Sequence, residues 1–109
     1  MLKDYQKFCK TVWNDQPIYK LQVSNACMGL AGEAGELIDI IKKFIHHGHS
    51  MDLDGLMKEI GDLQFYTAKI CNLFNIDLEM CIKMNEEKLR KRYPNGFNTK
   101  DSIERKDVK

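Results

Sequence analysis

Apolar residues recur along most of the chain at intervals of three and four positions, the spacing that puts them on one face of an α-helix. This pattern predicts four helices, over residues 2–13, 17–46, 52–74 and 78–92. No stretch alternates apolar and polar residues for long enough to indicate a β-sheet. We therefore predict an all-α, four-helix bundle-like fold in which the second and third helices form a central antiparallel hairpin.

The residues between the predicted helices support these boundaries. Pro17 suits the first turn of the second helix, and Gly48, in the sequence HHGHS, is well placed to end it. Asp52 or Asp54 can cap the third helix, and Asp77 can cap the fourth. Each predicted helix thus has a plausible beginning or end.

Composition is that of a soluble, single-domain protein. The 109 residues are 43% hydrophobic and 30% charged, and the net charge of +1 offers no strong field to nucleic acid or an acidic membrane. No run approaches the roughly 18 apolar residues of a membrane span, and the N-terminus lacks a signal-peptide core. We expect a cytoplasmic protein that binds neither nucleic acid nor membrane. One domain covers residues 1–97, and the polar tail over 98–109 is either a loose arm or a segment that docks a partner. The four cysteines form no CxxC pair, which indicates free thiols.

Two pairs of acidic residues stand at helical spacing on the second and third helices. Glu33 and Glu36 lie on successive turns of one helix face, as do Glu59 and Asp62. Residues that face each other in an antiparallel hairpin all have the same sum of residue numbers. With the turn at HHGHS, Glu36 and Glu59 have the same sum as Glu33 and Asp62, so each residue faces its partner. Four carboxylates so close would repel one another and raise their pKa values. A divalent cation would remove this repulsion, and ligand sets made only of oxygen favour Mg²⁺, with Mn²⁺ as a substitute.

Three glycines flank these acidic pairs, although each costs a helix about 1 kcal/mol relative to alanine. They are Gly32, Gly35 and Gly61. We expect them to keep bulk out of the seam between the two helices, so that the backbones approach and ions, water and a ligand find room.

Several polar residues near the acidic pairs can hold a phosphorylated ligand. Each also has an ordinary structural explanation, such as core packing, a buried hydrogen bond, a solvated surface position or a place at a helix C-terminus. These candidates are Lys43, two turns after Glu36; Tyr66, one turn after Asp62; Asn85, on the apolar stripe of the fourth helix; Lys88 and Arg92, further along that helix; and, more weakly, Asn25.

Three segments, GLAGEAGELIDIIKK, KEIGDLQFY and NEEKLRKRYPNGF, resemble the MazG-like family of all-α nucleoside triphosphate pyrophosphohydrolases. The resemblance covers about residues 18–97 and is to small single-domain members. It implies a helical bundle that assembles as a homodimer or homotetramer, with the active site near subunit contacts. It also implies that the catalytic Mg²⁺ ligands are Glu33, Glu36, Glu59 and Asp62, and that the nucleotide is contacted by Lys43, Asn85, Lys88 and Arg92.

The reaction implied by this resemblance is hydrolysis of a (d)NTP to a (d)NMP and pyrophosphate. Mg²⁺ would bridge carboxylates and phosphates and activate a water molecule. That water, deprotonated by Glu36 or Glu59, would attack the α-phosphorus. Pyrophosphate would leave towards Lys43 and the basic side of the fourth helix.

Two other classes of protein stay open on the residues alone. A carboxylate-bridged di-iron bundle pairs inward glutamates with Glu-x-x-His, and neither acidic pair has a histidine three residues on. A non-catalytic helical interaction module would carry the same acidic residues on a solvated face. A zinc site at His46, His47 and His49 is disfavoured, because the three histidines belong to a turn that we expect to be exposed.

Overall fold

The computed structural model describes residues 1–14 and 16–108, which form helices joined by short turns. The four long helices are α1 (Leu2–Thr11), α2 (Tyr19–His46), α3 (Leu53–Leu73) and α4 (Leu78–Arg92). A short helix, α5 (Thr99–Glu104), and a 3-10 turn over Lys106–Val108 follow. The described residues contain no β-strand, so the all-α prediction is confirmed for them.

The second helix ends where the sequence predicts. Gly48 adopts a φ of +72°, a left-handed conformation that favours glycine. The backbone N–H groups of His47 and His49 then both donate to the carbonyl of Lys43, at 3.1 Å each. These bonds satisfy a carbonyl that would otherwise be left free at the helix end.

Aspartate side chains start the next two helices, also as predicted. Asp52 accepts a hydrogen bond from the N–H of Gly55 at 2.9 Å at the start of α3. Asp77 accepts one from the N–H of Glu79 at 3.0 Å at the start of α4. Each bond satisfies one of the free N–H groups of a first helical turn.

The second and third long helices pair as the predicted antiparallel hairpin. The ring of Tyr66 on α3 packs directly on Gly29 of α2, so closely that a Cβ atom at Gly29 would overlap the ring. Gly29 and Tyr66 have the same sum of residue numbers as Glu33 and Asp62, as residues that face each other in one antiparallel hairpin must have. The register of the hairpin, inferred from the acidic pairs, is therefore the observed one.

A small apolar core lies where α1 packs against α3 and the start of α4. Its buried members are Cys9, Ala68, Cys71 and Leu78. Three partly buried side chains, those of Leu2, Tyr5 and Phe65, pack against them. This core fixes the corner between α3 and α4, and it lies beyond the acidic pairs along α3.

The fourth helix packs mainly against α1 and the C-terminal 3-10 turn. A four-helix bundle around the hairpin therefore stays a prediction for the assembled protein. The polar tail folds back instead of hanging loose, because the Asp107 carboxylate accepts two hydrogen bonds from Arg92, at 2.7 and 2.9 Å. The Asp107 side chain is 1% exposed, so this pair anchors the tail to the end of α4.

Candidate metal centre

Three of the four predicted carboxylates converge across the hairpin. Glu33 comes from α2, and Glu59 and Asp62 come from successive turns of α3. One carboxylate oxygen of each lies within 4.8 Å of the others. We call these three residues the acidic cluster.

Two oxygens of the acidic cluster are buried without a hydrogen-bond partner in the described part of the chain. They are Oε2 of Glu33 and Oε2 of Glu59. An ionised carboxylate only accepts hydrogen bonds, so two ionised neighbours cannot satisfy each other. Buried polar atoms are usually paired, because leaving one unpaired costs free energy. These oxygens therefore need either a shared proton or a cation.

The electrostatics of the acidic cluster point the same way. The pKa of Glu33 is raised from about 4.5 to about 7. The largest cause is the neighbouring Glu59 carboxylate, which would accept a hydrogen bond from Glu33 once Glu33 is protonated; burial follows, and then the negative charges of Glu36, Asp62 and Glu59. A bound cation would lower this pKa, because it favours the ionised carboxylate.

Glu36 differs from the prediction that all four carboxylates converge. It is exposed, and no oxygen of its side chain belongs to the group within 4.8 Å. Its charge still acts on the cluster, since it contributes to the raised pKa of Glu33. Glu36 therefore stands at the solvent edge of the site, one turn from Glu33.

The role predicted for the three glycines is only partly right. A Cβ atom at Gly32, Gly35 or Gly61 would meet nothing within 4 Å, so none of them marks a close approach of the two helices in this chain. The open space beside them is compatible with room for ions, water or a ligand. The close approach occurs at Gly29, because the Tyr66 ring lies against it.

Tyr66 belongs to an aromatic group beside the acidic cluster. Its ring centroid lies 5.2 Å from that of Phe65 and 6.4 Å from that of Trp13. The Lys69 ammonium lies 4.3 Å from the centre of the Trp13 ring. Tyr66 thus packs against neighbouring rings, which is the structural explanation considered for it from the sequence. A contact of Tyr66 with substrate stays a prediction. The sequence predicts Trp13 as the last residue of the first helix, whereas α1 ends at Thr11, so its place in this aromatic group had no pattern to indicate it.

The two candidates on α2 are accessible to solvent. Lys43 makes an ion pair with Asp39 at 2.8 Å, and this bond lowers the pKa of the Asp39 carboxyl. Asp39 could have been found from its spacing of four residues from Lys43. Asn25 is exposed. A contact of Lys43 or Asn25 with substrate stays a prediction.

The three candidates on α4 share one helix but have different surroundings. Asn85, expected to face inward, is exposed in an open groove beside Ile82 and Leu89, because α4 does not pack along the hairpin. Lys88 is exposed. Arg92 is engaged by Asp107. Their contact with a nucleotide stays a prediction.

The donor set of the acidic cluster fits a hard divalent cation. All three residues offer carboxylate oxygens, and two of those oxygens have no other partner. Hard divalent cations prefer oxygen ligands of this kind, whereas zinc is more often bound by cysteine and histidine. The turn histidines do not belong to the group of ligating side chains that the described residues bring together.

Comparison with known proteins identifies the family of this chain. Residues 22–97, which include the acidic cluster and all of α3 and α4, match the MazG nucleotide pyrophosphohydrolase domain. The chain belongs to this family. It is also 32% identical over 78 residues to the Gene 37 protein of Mycobacterium phage L5, an alignment that covers 68% of each chain. No solved structure matches.

No helix in the described ranges is both long enough and apolar enough to cross a membrane.

Proposed function

We propose that the protein is a Mg²⁺-dependent pyrophosphohydrolase that converts a (d)NTP and water to a (d)NMP and pyrophosphate. The observation that carries this proposal is the acidic cluster with its two unpartnered, buried oxygens. Family membership supplies the class of reaction.

The acidic cluster is the place for the metal in this proposal. Glu33, Glu59 and Asp62 would hold Mg²⁺, with Mn²⁺ as a substitute, and Glu36 stands one turn away for a further ion. When bound, the metal supplies positive charge that offsets the phosphates and makes a water molecule easier to deprotonate. The chain's own carboxylates would otherwise repel a triphosphate.

Side chains around the acidic cluster would carry out the remaining steps of the reaction. Glu36, outside the three-ligand group and open to solvent, is the better placed base for the attacking water, with Glu59 as the alternative. The water oxygen bonds to the α-phosphorus, the bond from that phosphorus to the bridging oxygen breaks, and pyrophosphate departs with the electron pair. Lys43 and the cations of α4 would stabilise the departing charge.

The protein acts as a homodimer or homotetramer in this proposal, because a single chain exposes more surface than a compact monomer of its size. Its accessible surface is 8116 Å², against about 6,200 Å² for a compact monomer of this mass. The difference, roughly 1,900 Å², exceeds the ~800 Å² that each partner buries in a standard interface. The radius of gyration of 17.3 Å likewise exceeds the ~13 Å expected.

Exposed apolar side chains on the hairpin are the natural interface. Ile38 is 61% exposed, Ile45 62%, Leu53 64% and Met57 71%. A second copy packed there would complete a helical bundle, and a neighbouring α4 could then bring Asn85 to the cluster. Sedimentation equilibrium tests this: a dimer or tetramer supports the assembly, and a monomer at micromolar concentration contradicts it.

The function is tested with a panel of canonical and modified (d)NTPs, each incubated with Mg²⁺ and analysed for products. The expected products are the monophosphate and pyrophosphate. Formation of diphosphate and orthophosphate would contradict the proposal, since a different bond would have been broken. Hydrolysis of no member of the panel would also contradict it.

A further inference from the structure

A cavity of about 300 Å³ lies between α1 and the turn that joins α3 to α4. Three lysines of α1 line one side of it: Lys3, Lys7 and Lys10. They follow one another at intervals of four and three residues, so they lie on one face of the helix. Asn75 and Asp77 of the turn line the other side. We call this space the lysine cavity.

The charges around the lysine cavity leave positive charge in excess. The Lys3 ammonium lies 3.5 Å from the Glu79 carboxylate, and Asp77 adds a second negative charge. Lys7 and Lys10 make no ion pair with any residue that the structure describes. Like charges three and four residues apart on a helix repel one another, and a bound anion would offset that repulsion.

Hydrogen bonds hold the wall between the lysines and the turn in place. The Gln6 amide donates to Asn72 Oδ1 at 2.9 Å and to the Ile76 carbonyl at 2.8 Å, and it accepts from the Leu78 N–H at 2.9 Å. Asn72 donates in return to the Gln6 carbonyl at 3.1 Å. These polar groups are already paired, so the lysines and Asn75 are the groups left to bind a ligand.

Asn75 offers an uncharged donor on the far side of the lysine cavity. Its φ of +54° is a left-handed conformation, which asparagine adopts more readily than most residues. Its side chain is exposed and makes no hydrogen bond to the residues that the structure describes. The amide NH₂ group can therefore donate to an anion that the lysines hold.

We propose that the lysine cavity binds a polyphosphate anion, either inorganic or as the phosphate chain of a nucleotide. Lys3 and Lys10 are seven residues apart, about 10 Å along the helix. A single phosphate group is shorter than this span, whereas a chain of two or three phosphates can contact lysines at both ends. Lysine ammonium groups bind phosphate oxygens through charge-assisted hydrogen bonds. Ile76 is the only apolar residue among the described ones that line the cavity, so little there recognises a base.

The lysine cavity is a different site from the acidic cluster. Asn72, at the cavity wall, lies ten residues beyond Asp62 on α3, about 15 Å along the helix. The acidic cluster lies between α2 and α3, whereas the cavity lies between α1 and the turn. The proposal is independent of the hydrolase activity, since binding of an anion here needs neither Mg²⁺ nor cleavage.

Calorimetric titration of the metal-free protein tests this binding. Metal is removed with a chelator that is then dialysed away, so that the acidic cluster repels anions instead of holding them. At constant ionic strength, affinity should rise from orthophosphate to pyrophosphate to tripolyphosphate. The absence of binding of tripolyphosphate at millimolar concentration would overturn the proposal, and so would equal affinities for orthophosphate and tripolyphosphate.

A comparison of tripolyphosphate with ATP distinguishes the two sources of the phosphate chain. Equal or weaker binding of ATP supports recognition of the chain alone, whereas tighter binding of ATP supports a nucleotide as the ligand. Each result agrees with a polyphosphate site, because the phosphate chain is bound in both cases.

Two lysine variants separate the lysine cavity from the net charge of the protein. Lys7→Gln should lower the affinity for tripolyphosphate about fivefold, the effect of one charge about 4 Å from the anion in water. Lys100→Gln is the matched control, because Lys100 is exposed on α5 and does not line the cavity. Both side chains are exposed, so the fold should be unaffected. Equal losses of affinity in the two variants would overturn the proposal.

Chemical acetylation locates the bound anion. Peptide mass spectrometry after brief acetylation should show less modification of Lys7 and Lys10 when tripolyphosphate is present, and the same modification of Lys100. Unchanged modification of Lys7 and Lys10 at a concentration that saturates binding would place the anion elsewhere and overturn the proposal.

Discussion

The acidic seam of the hairpin and the corner between α3 and α4 are both places where α3 meets a neighbouring helix, yet they are built in opposite ways. At the corner, the amides of Gln6 and Asn72 satisfy each other and the turn beside them. In the seam, Glu33 and Glu59 each keep a buried oxygen without a partner. Buried polar groups that are fully paired stabilise a fold, whereas unpaired ones cost free energy and mark a functional site.

This contrast predicts opposite outcomes for substitutions in the two regions. A change in the seam should remove function and spare the fold. A change at the corner should weaken the fold and spare metal binding.

The largest effect is expected for Glu59→Gln. The amide keeps the size of the side chain but removes a negative metal ligand, so (d)NTP hydrolysis should fall by about 100-fold or more. Glu87→Gln is the matched control, because Glu87 is exposed on α4 and has no assigned role. Initial rates with saturating Mg²⁺ compare the two variants. Equal rates would place the chemistry outside the seam.

At the corner, Gln6→Ala should lower the free energy of unfolding by about 2–3 kcal/mol. It removes several hydrogen bonds at once and leaves the Leu78 N–H and the Asn72 Oδ1 without the Gln6 side chain as partner. Urea unfolding measures the change. Calorimetric titration should find Mg²⁺ affinity unaltered, and a parallel loss of affinity would mean that the two regions are not separable.

Gly29→Ala should cost about 1–3 kcal/mol, because the added methyl group overlaps the Tyr66 ring and forces the two helices apart. Gly32→Ala is the matched control on the same helix. It has open space around it and should gain helix propensity instead. Thermal unfolding of both variants distinguishes these outcomes, and a neutral Gly29→Ala would contradict the observed register.

The smallest expected effect is a change in the stability of the folded protein with pH. The folded, metal-free protein holds a proton on Glu33 that the unfolded chain releases, since the pKa is about 7 against about 4.5. The stability due to this proton is fully present below about pH 4.5 and is lost as pH rises through about 7. Mg²⁺ competes with the proton, so it should raise the Tm more at pH 8 than at pH 6.

The variant Glu33→Gln is the control for this pH dependence. It keeps the neutral form at every pH, so the change in stability between about pH 4.5 and pH 7 should disappear from its thermal unfolding. A wild-type response to Mg²⁺ that is the same at both pH values would contradict the raised pKa.

The register of the hairpin could be predicted because it depends on periodicity, which is a local property of the sequence. Glu33 and Asp62 carry the pattern themselves, and Gly48 fixes the turn between them. No role could be predicted for Gly29, because its importance arises from the ring of Tyr66 on the other helix. The register pairs the two positions, but it does not show that the ring packs directly on the glycine.

The surroundings of α4 could not be predicted for a similar reason. The apolar stripe through Asn85 indicates a buried face, but the corner directs α4 away from the hairpin, and Asn85 is exposed. The anchoring of the tail depends on one pair, Arg92 and Asp107, fifteen residues apart. In a polar segment with many charges, no pattern selects that pair in advance.

Calorimetric titration with Mg²⁺ measures whether the acidic cluster binds a hard divalent cation. Wild-type protein should bind Mg²⁺ and release protons near pH 7, while the double variant Glu33→Gln, Glu59→Gln should remain folded and show no binding heat. Equal binding by the wild type and the folded double variant would contradict the account.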